Sequence, residues 1–162
     1  SRGSVVPLFI TQRDNGSITL TDSRMTRFWI TLEQGVRFVI QCIERMCGGE
    51  VFVPKIPSMK VLDLANAIAP NCKIEEIGIR PGEKLHEEMI TSSDSFNTIE
   101  FDKYFAILPA DSNKKRYLEN FSANMVEPGF TYNSGSNKDW ETEESLRKKI
   151  VEHVDPEFKP YK

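Results

Sequence analysis

Hydrophobic positions near the start of the chain predict a short helix followed by strands. Pro7 suits the first turn of a helix, where its missing N–H is not needed, and three apolar residues follow it. Ile18 and Leu20 alternate with polar residues, which is the two-residue period of a half-buried strand. A second compact apolar segment lies at 28–30. We therefore expect helix and strand to alternate from the first residues.

The clearest predicted helix begins after Thr31. Thr31 and Gln34 have the spacing of a capping box, in which each side chain accepts a hydrogen bond from a free backbone N–H. Apolar residues then recur at helical spacing, namely Leu32, Val36, Val39, Ile40 and Ile43. We expect Gly48 and Gly49 to end this helix, and Cys42, on the apolar stripe, to be a small buried residue.

The region 32–110 continues this alternation of helix and strand. The predicted elements are a strand at 51–53, a helix capped by Ser58 and ended by Pro70, a strand at 74–79, a short helix carrying Leu85, Met89 and Ile90, and a strand at 104–108. Periodicity then fades, so 111–141 is expected to form a loop or lid. Thr142 is expected to cap a terminal helix over 142–154. The order of elements is typical of an α/β layer architecture.

Composition narrows the class of protein. With 162 residues, 39% apolar and a formal charge of -3, the chain resembles one ordinary globular domain and not a basic nucleic-acid binder. No apolar run approaches the ~20 residues that a bilayer-spanning helix needs, so no membrane segment is expected. Three cysteines without a CxxC pair and two distant histidines predict neither a metal site nor a disulfide framework. This cysteine usage favours the reducing cytoplasm.

No complete catalytic unit is present in the sequence. It contains no GxGxxG or GxxxxGK[ST] phosphate-binding loop, no GxSxG elbow, and no tyrosine followed by lysine at the fourth position. We therefore assign no catalytic residue and expect that this chain alone does not catalyse.

Two arginines are the candidate ligand-binding residues. Arg27 begins an apolar strand segment, and Arg80 follows another strand just before Pro81 and Gly82. Ligands of α/β sheets gather near the carboxyl ends of strands, and the planar arginine fork suits phosphate oxygens. The pair therefore suggests a diphosphate clamp. The alternative is that both arginines form solvated ion pairs, Arg27 with Asp22 or Glu33 and Arg80 with Glu83, worth ~0–1 kcal/mol each.

Four ordered motifs add a family resemblance. They read SRGSVVP at 1–7, MTRFWITL at 25–32, FVPKIPSMK at 52–60 and IRPGEKLHE at 79–87, with a further block at 132–140. Together they resemble the C-terminal half of the UDP-N-acetylglucosamine 4,6-dehydratases, in the polysaccharide-biosynthesis branch of the extended short-chain dehydrogenase/reductases. The segment 28–32 is similar to the soluble inverting type.

The resemblance implies a fold and a set of site residues. The 162 residues would form the substrate-binding lobe of an NADP-dependent enzyme, with 1–31 at the junction to a Rossmann half that this chain lacks. Arg27 and Arg80 would bind the diphosphate of UDP-N-acetylglucosamine, and Glu83 a ribose hydroxyl. Asn137 would contact the nucleotide or sugar, and Ser1 and Arg2 would lie near the nicotinamide end of the cofactor.

The resemblance also implies partners. The Rossmann half would be one, and further copies of the enzyme in a homo-oligomer another, in a pathway for bacterial surface or flagellar glycans. A non-catalytic nucleotide-sugar binding or assembly module is the alternative function.

Overall fold

The computed structural model describes residues 5–110, 114–120 and 123–160. Within them the chain divides into two units instead of the single domain that its length suggested. The first unit comprises the chain up to Trp29, the segment Pro57–Glu87 and the chain from Asn137 onward. The second unit comprises Ile30–Ile56 and Glu88–Ser136. Each unit therefore draws on segments that are distant in sequence.

The first unit packs three helices against two pairs of strands. Its elements are α1 (Val5–Arg13), β1 (Ser17–Leu20), β2 (Thr26–Phe28), β4 (Ser58–Lys60), α3 (Val61–Ile68), β5 (Lys73–Glu76) and α5 (Glu143–His153). Strands β1 and β5 pair in parallel, and β2 pairs with β4 antiparallel. Ile18 and Leu20 are buried while their neighbours on β1 are less so, which confirms the predicted alternation. The core joins α1, β1, α3 and α5 through buried residues that include Phe9, Leu64 and Ile150.

The second unit is built around an antiparallel sheet. Its elements are α2 (Leu32–Arg45), β3 (Val51–Pro54), β6 (Glu88–Ile90), a 3₁₀ helix (Asp94–Asn97), β7 (Thr98–Glu100), β8 (Tyr104–Ile107), α4 (Lys114–Asn120), β9 (Asn124–Met125) and β10 (Tyr132–Asn133). The order in the four-stranded sheet is β3-β8-β7-β9, and β6 pairs separately with β10. The described region between 111 and 141, expected to be a loop or lid, thus contains one helix and two short strands.

Helix α2 begins as predicted, but it ends earlier, and its apolar residues are more exposed than expected. The Thr31–Gln34 capping box is present in both directions. The helix stops at Arg45 because Met46 is extended, so the predicted stop at Gly48 was wrong. No residue of α2 is fully buried, and Leu32 is 86% exposed. Cys42 is half-buried instead of buried, and this partial burial raises the pKa of its thiol.

Three further predictions about local structure differ from what the structure shows. Ser58 does not cap a helix, because it lies in β4, and Lys60 precedes α3 without a side-chain cap. The predicted helix after Arg80 is replaced by turns and the strand β6. The predicted strand at 74–79 is shorter, since β5 ends at Glu76. No helix in the described part of the chain is long and apolar enough to cross a membrane.

Candidate functional site

A cleft of about 660 Å³ lies in the first unit and brings together three of the predicted site residues. Arg27, Arg80 and Glu83 all line it, although Arg27 is more than fifty positions away from the other two in sequence. The rest of the lining is one largely apolar wall with three threonines, formed by Val5, Pro7, Leu8, Phe9, Thr11, Thr19, Leu20, Thr21, Met25, Val61 and Ile77. The cleft therefore combines a cationic end with an apolar surface.

A tight turn positions Arg80 and Glu83. Gly82 has a φ of +85°, the value that a type II turn requires at its third residue, and Pro81 suits the second. The backbone N–H of Glu83 donates to the Arg80 carbonyl at 3.0 Å. In the opposite direction, the backbone N–H of Arg80 donates to Oε2 of Glu83 at 3.2 Å. The turn is thus closed twice, and it fixes where both side chains begin.

The alternative ion pair between Arg80 and Glu83 is not found among the described residues. Glu83 uses its carboxylate on the backbone of Arg80, and no described residue forms a salt bridge with the Arg80 guanidinium. The Arg80 side chain is exposed at the cleft. An anionic ligand can therefore bind the Arg80 guanidinium without displacing an ion-pair partner among the described residues.

Arg27 is held much more firmly. It lies in the middle of β2, and its Nη1 donates to the carbonyls of Thr26 at 2.7 Å and Leu85 at 3.2 Å. Its Nη2 approaches the Met25 sulfur at 3.8 Å, and its Nε lies 3.4 Å from Oε1 of Glu87. The side chain is 26% exposed. Arg27 is therefore a partly buried cation with a fixed orientation.

The ion pairs that would have given Arg27 a purely structural role are made by other arginines. Asp22 pairs with Arg24 at 2.8 Å, and Glu33 pairs with Arg37 at 2.6 Å. Neither carboxylate is the partner of Arg27. The alternative of solvated pairs with Asp22 or Glu33 was therefore wrong in its partners.

Asn137 does not join the other candidates, since it does not line the cleft. Its Nδ2 donates to Oγ of Ser58 and to the Asp139 carbonyl, both at 3.1 Å. The backbone carbonyl of Asn137 accepts from Nε1 of Trp140 at 2.6 Å. These contacts fasten the 137–140 loop to β4. Ser1 and Arg2, the candidate cofactor contacts, lie outside the described residues.

Comparison with known proteins identifies the family. A family model described as "Polysaccharide biosynthesis protein" matches residues 1–109. The chain belongs to this family. The match covers both arginines of the cleft and the turn that carries Glu83.

Two individual relatives show which characterised proteins this chain resembles. It is 49% identical over 163 residues to a UDP-N-acetylglucosamine 4,6-dehydratase (inverting) of Campylobacter jejuni, with 96% of this chain and 48% of that protein aligned. It is 36% identical over 126 residues to a UDP-glucose 4-epimerase of Rickettsia canadensis, covering 75% of this chain and 37% of that protein. The first of these matches confirms the predicted resemblance to the inverting dehydratases.

A solved structure shows the same fold. The X-ray structure of Pen from Bacillus thuringiensis matches with a TM-score of 0.79 and 35% identity, over 94% of this chain and 46% of that one. The chain spans about half the length of the curated dehydratases it matches, which is consistent with the predicted C-terminal half. The mixed α/β fold class is confirmed.

Sequence reasoning missed most of the cleft wall and the partner of Arg27. Leu8 and Ile77, which line the cleft, are 51% and 53% exposed. Exposed apolar side chains beside predicted ligand-binding arginines are a usable signal, but only once the chain is folded. Glu87 lies within the motif at 79–87, but the sequence gives no sign of its pairing with Arg27, which is sixty positions away. Among the described residues, no group of three or more His, Cys, Asp or Glu side chains is placed to hold a metal ion.

Proposed function

We propose that this chain is the UDP-sugar-binding part of a UDP-N-acetylglucosamine 4,6-dehydratase of the inverting type, acting in bacterial surface or flagellar glycan synthesis. The observation that carries the proposal is the shared cleft of Arg27, Arg80 and Glu83. These three residues are far apart or were identified independently in the sequence, yet they line one cavity. The relatives at 49% and 36% identity are named for reactions of two different UDP-sugars, so UDP is the part that their substrates share.

The chemistry of the cleft suits such a ligand. Two guanidinium groups offer charge-assisted hydrogen bonds to a diphosphate, each worth about 1.5–3 kcal/mol. Glu83 supplies a carboxylate that accepts from a ribose hydroxyl, and the apolar wall offers a surface for a nucleobase. The volume of about 660 Å³ lies inside the range of roughly 300–1,000 Å³ that small-molecule sites occupy. We retain Asn137 as a candidate contact to the sugar or nucleotide.

Catalysis is assigned to residues that this sequence does not contain. The sequence has no GxGxxG loop and no tyrosine four positions before a lysine. In the complete enzyme NADP would supply the hydride chemistry, and no described residue forms a glycine-rich cradle for it. We therefore expect this chain by itself to bind nucleotide without forming product. The complete enzyme is proposed to be a cytoplasmic homo-oligomer.

Calorimetric titration with UDP tests the proposal. Arg80→Ala is expected to weaken UDP binding by about 10- to 100-fold, which is the loss of one charged contact. Lys84→Ala is the matched control, since Lys84 is an exposed cation four positions away that does not line the cleft. It is expected to leave the affinity within about twofold, as an exposed charge outside the site should.

Two results would contradict the proposal. One is a chain that does not bind UDP at millimolar concentration. The other is an Arg80→Ala variant with the affinity of the unsubstituted chain, which would remove Arg80 from the site.

A further inference from the structure

The hydrogen bonds of Arg27 leave only one of its edges for a ligand. A guanidinium carries five N–H donors, two on each Nη and one on Nε. Nη1 has both of its donors directed to the carbonyls of Thr26 and Leu85. A phosphate that binds Arg27 through two parallel hydrogen bonds must therefore use Nε and Nη2.

Glu87 lies on that remaining edge. Its Oε1 is 3.4 Å from Nε of Arg27, whereas a charge-assisted N–H···O bond is about 2.7–2.9 Å long. Among the described residues, the contact of Nη2 is with the Met25 sulfur, at 3.8 Å. The carboxylate is thus a loose partner at the position where a phosphate oxygen would bind.

We infer that Glu87 is an internal counter-ion that a diphosphate must displace from Arg27. This rests on the proposed function, because it requires that Arg27 binds phosphate. Glu87 neutralises the guanidinium while the cleft is empty and competes with the ligand for the Nε–Nη2 edge. The carbonyls of Thr26 and Leu85 keep Arg27 oriented when Glu87 leaves, so the carboxylate is not needed to aim the side chain.

Exposure makes the exchange feasible. The Glu87 side chain is 47% exposed, so a displaced carboxylate is hydrated by solvent, which lowers the cost of releasing it. Arg27, at 26% exposed, stays in the cleft wall. The pair therefore lowers the affinity for the anion by a limited amount while leaving the binding residue in place.

The test is the affinity of Glu87→Gln for UDP. This variant keeps the size of the side chain and removes the competing charge, so UDP should bind about two- to fivefold more tightly, the range typical of a half-exposed ion pair. Uridine, measured by its displacement of UDP, lacks the diphosphate and should bind with unchanged affinity. Glu88→Gln is the matched control, because it removes the same charge from an exposed neighbour that forms no salt bridge with Arg27 among the described residues, and it should leave UDP binding unchanged.

The outcomes separate this inference from the function on which it rests. If Glu87→Gln weakens UDP binding or leaves it unchanged, Glu87 is not a competitor and the inference is overturned. An equal gain for uridine, or for UDP in the Glu88→Gln control, overturns it too, since the effect would not act through the phosphate edge of Arg27. Absence of UDP binding by the unsubstituted chain would instead overturn the proposed function itself.

Discussion

Two adjacent residues of α5 offer a direct test of where the core of the first unit lies. Ile150 is 0% exposed and belongs to the cluster that contains Leu64 and Phe158, whereas Val151 is 37% exposed. Both side chains are β-branched, both lie on one helix, and each is truncated by the same substitution to alanine. Their different surroundings are therefore what the comparison measures.

The expected magnitudes follow from burial. Ile150→Ala removes three buried carbon atoms, worth about 2.4 kcal/mol at about 0.8 kcal/mol each, and the cavity left behind brings the cost to about 2–5 kcal/mol. Val151→Ala removes two partly exposed carbons, worth about 1 kcal/mol, and regains about 0.5 kcal/mol because alanine favours the helix. The free energy of unfolding should thus differ between the two variants by about 2–4 kcal/mol.

Urea unfolding followed by tryptophan fluorescence is a suitable assay. The chain has two tryptophans, Trp29 and Trp140, and both belong to the same unit as α5. The fluorescence transition therefore reports the unit that carries the substitution. Equal midpoints for Ile150→Ala and Val151→Ala, or a loss below about 1 kcal/mol for Ile150→Ala, would show that α5 does not seal this core.

Two further predictions concern glycine and charge. Gly82 has a φ of +85° and open space around a new Cβ, so Gly82→Ala should destabilise the fold by about 1 kcal/mol through backbone strain. Gly35 lies inside α2, where the nearest contact of a new Cβ would be at 3.9 Å, so Gly35→Ala should stabilise the fold by about 0.5–1 kcal/mol. Urea unfolding followed by circular dichroism compares the two variants, and a change of the same sign in both would contradict the argument. The side-chain and backbone hydrogen bonds from Arg24 hold the pKa of Asp22 at about 2, so Arg24→Ala should return it towards 3.8 in an NMR titration. Because the folded-state pKa is lowered, the stabilisation is present above about pH 4 and is lost as the pH falls towards 2, so the two proteins should differ least in stability at the acid end.

The elements that sequence predicted well are those fixed by near neighbours along the chain. The α2 capping box needs only two residues three positions apart, and the structure shows both of its hydrogen bonds, at 3.0 and 3.2 Å. The alternation on β1 is similarly local. A pattern whose partners are all within four residues can be interpreted without knowing the rest of the fold.

The errors occurred where distant segments determine the local structure. Ser58 has the residue type of a helix cap, but its backbone donates to Asp139 and accepts from Glu141, which holds it in a strand. Ile90 was placed on a helix by spacing, yet it pairs with Tyr132 across an antiparallel ladder. Pairings over forty to eighty positions overrode a weak local preference, as is common for short strands.

The same distinction explains how much of the candidate site was predictable. Arg80 and Glu83 belong to one turn, so their proximity follows from Pro81 and Gly82 alone. The pairing of β2 with β4 and the bond from the Thr26 N–H to the Leu85 carbonyl carry Arg27 to the segment that follows this turn. The Leu85 carbonyl also accepts a hydrogen bond from Nη1 of Arg27, so this N–H is not available to a ligand. A resemblance in sequence identifies the arginine as a candidate, but only the folded backbone shows which edge of its guanidinium would remain for the proposed phosphate.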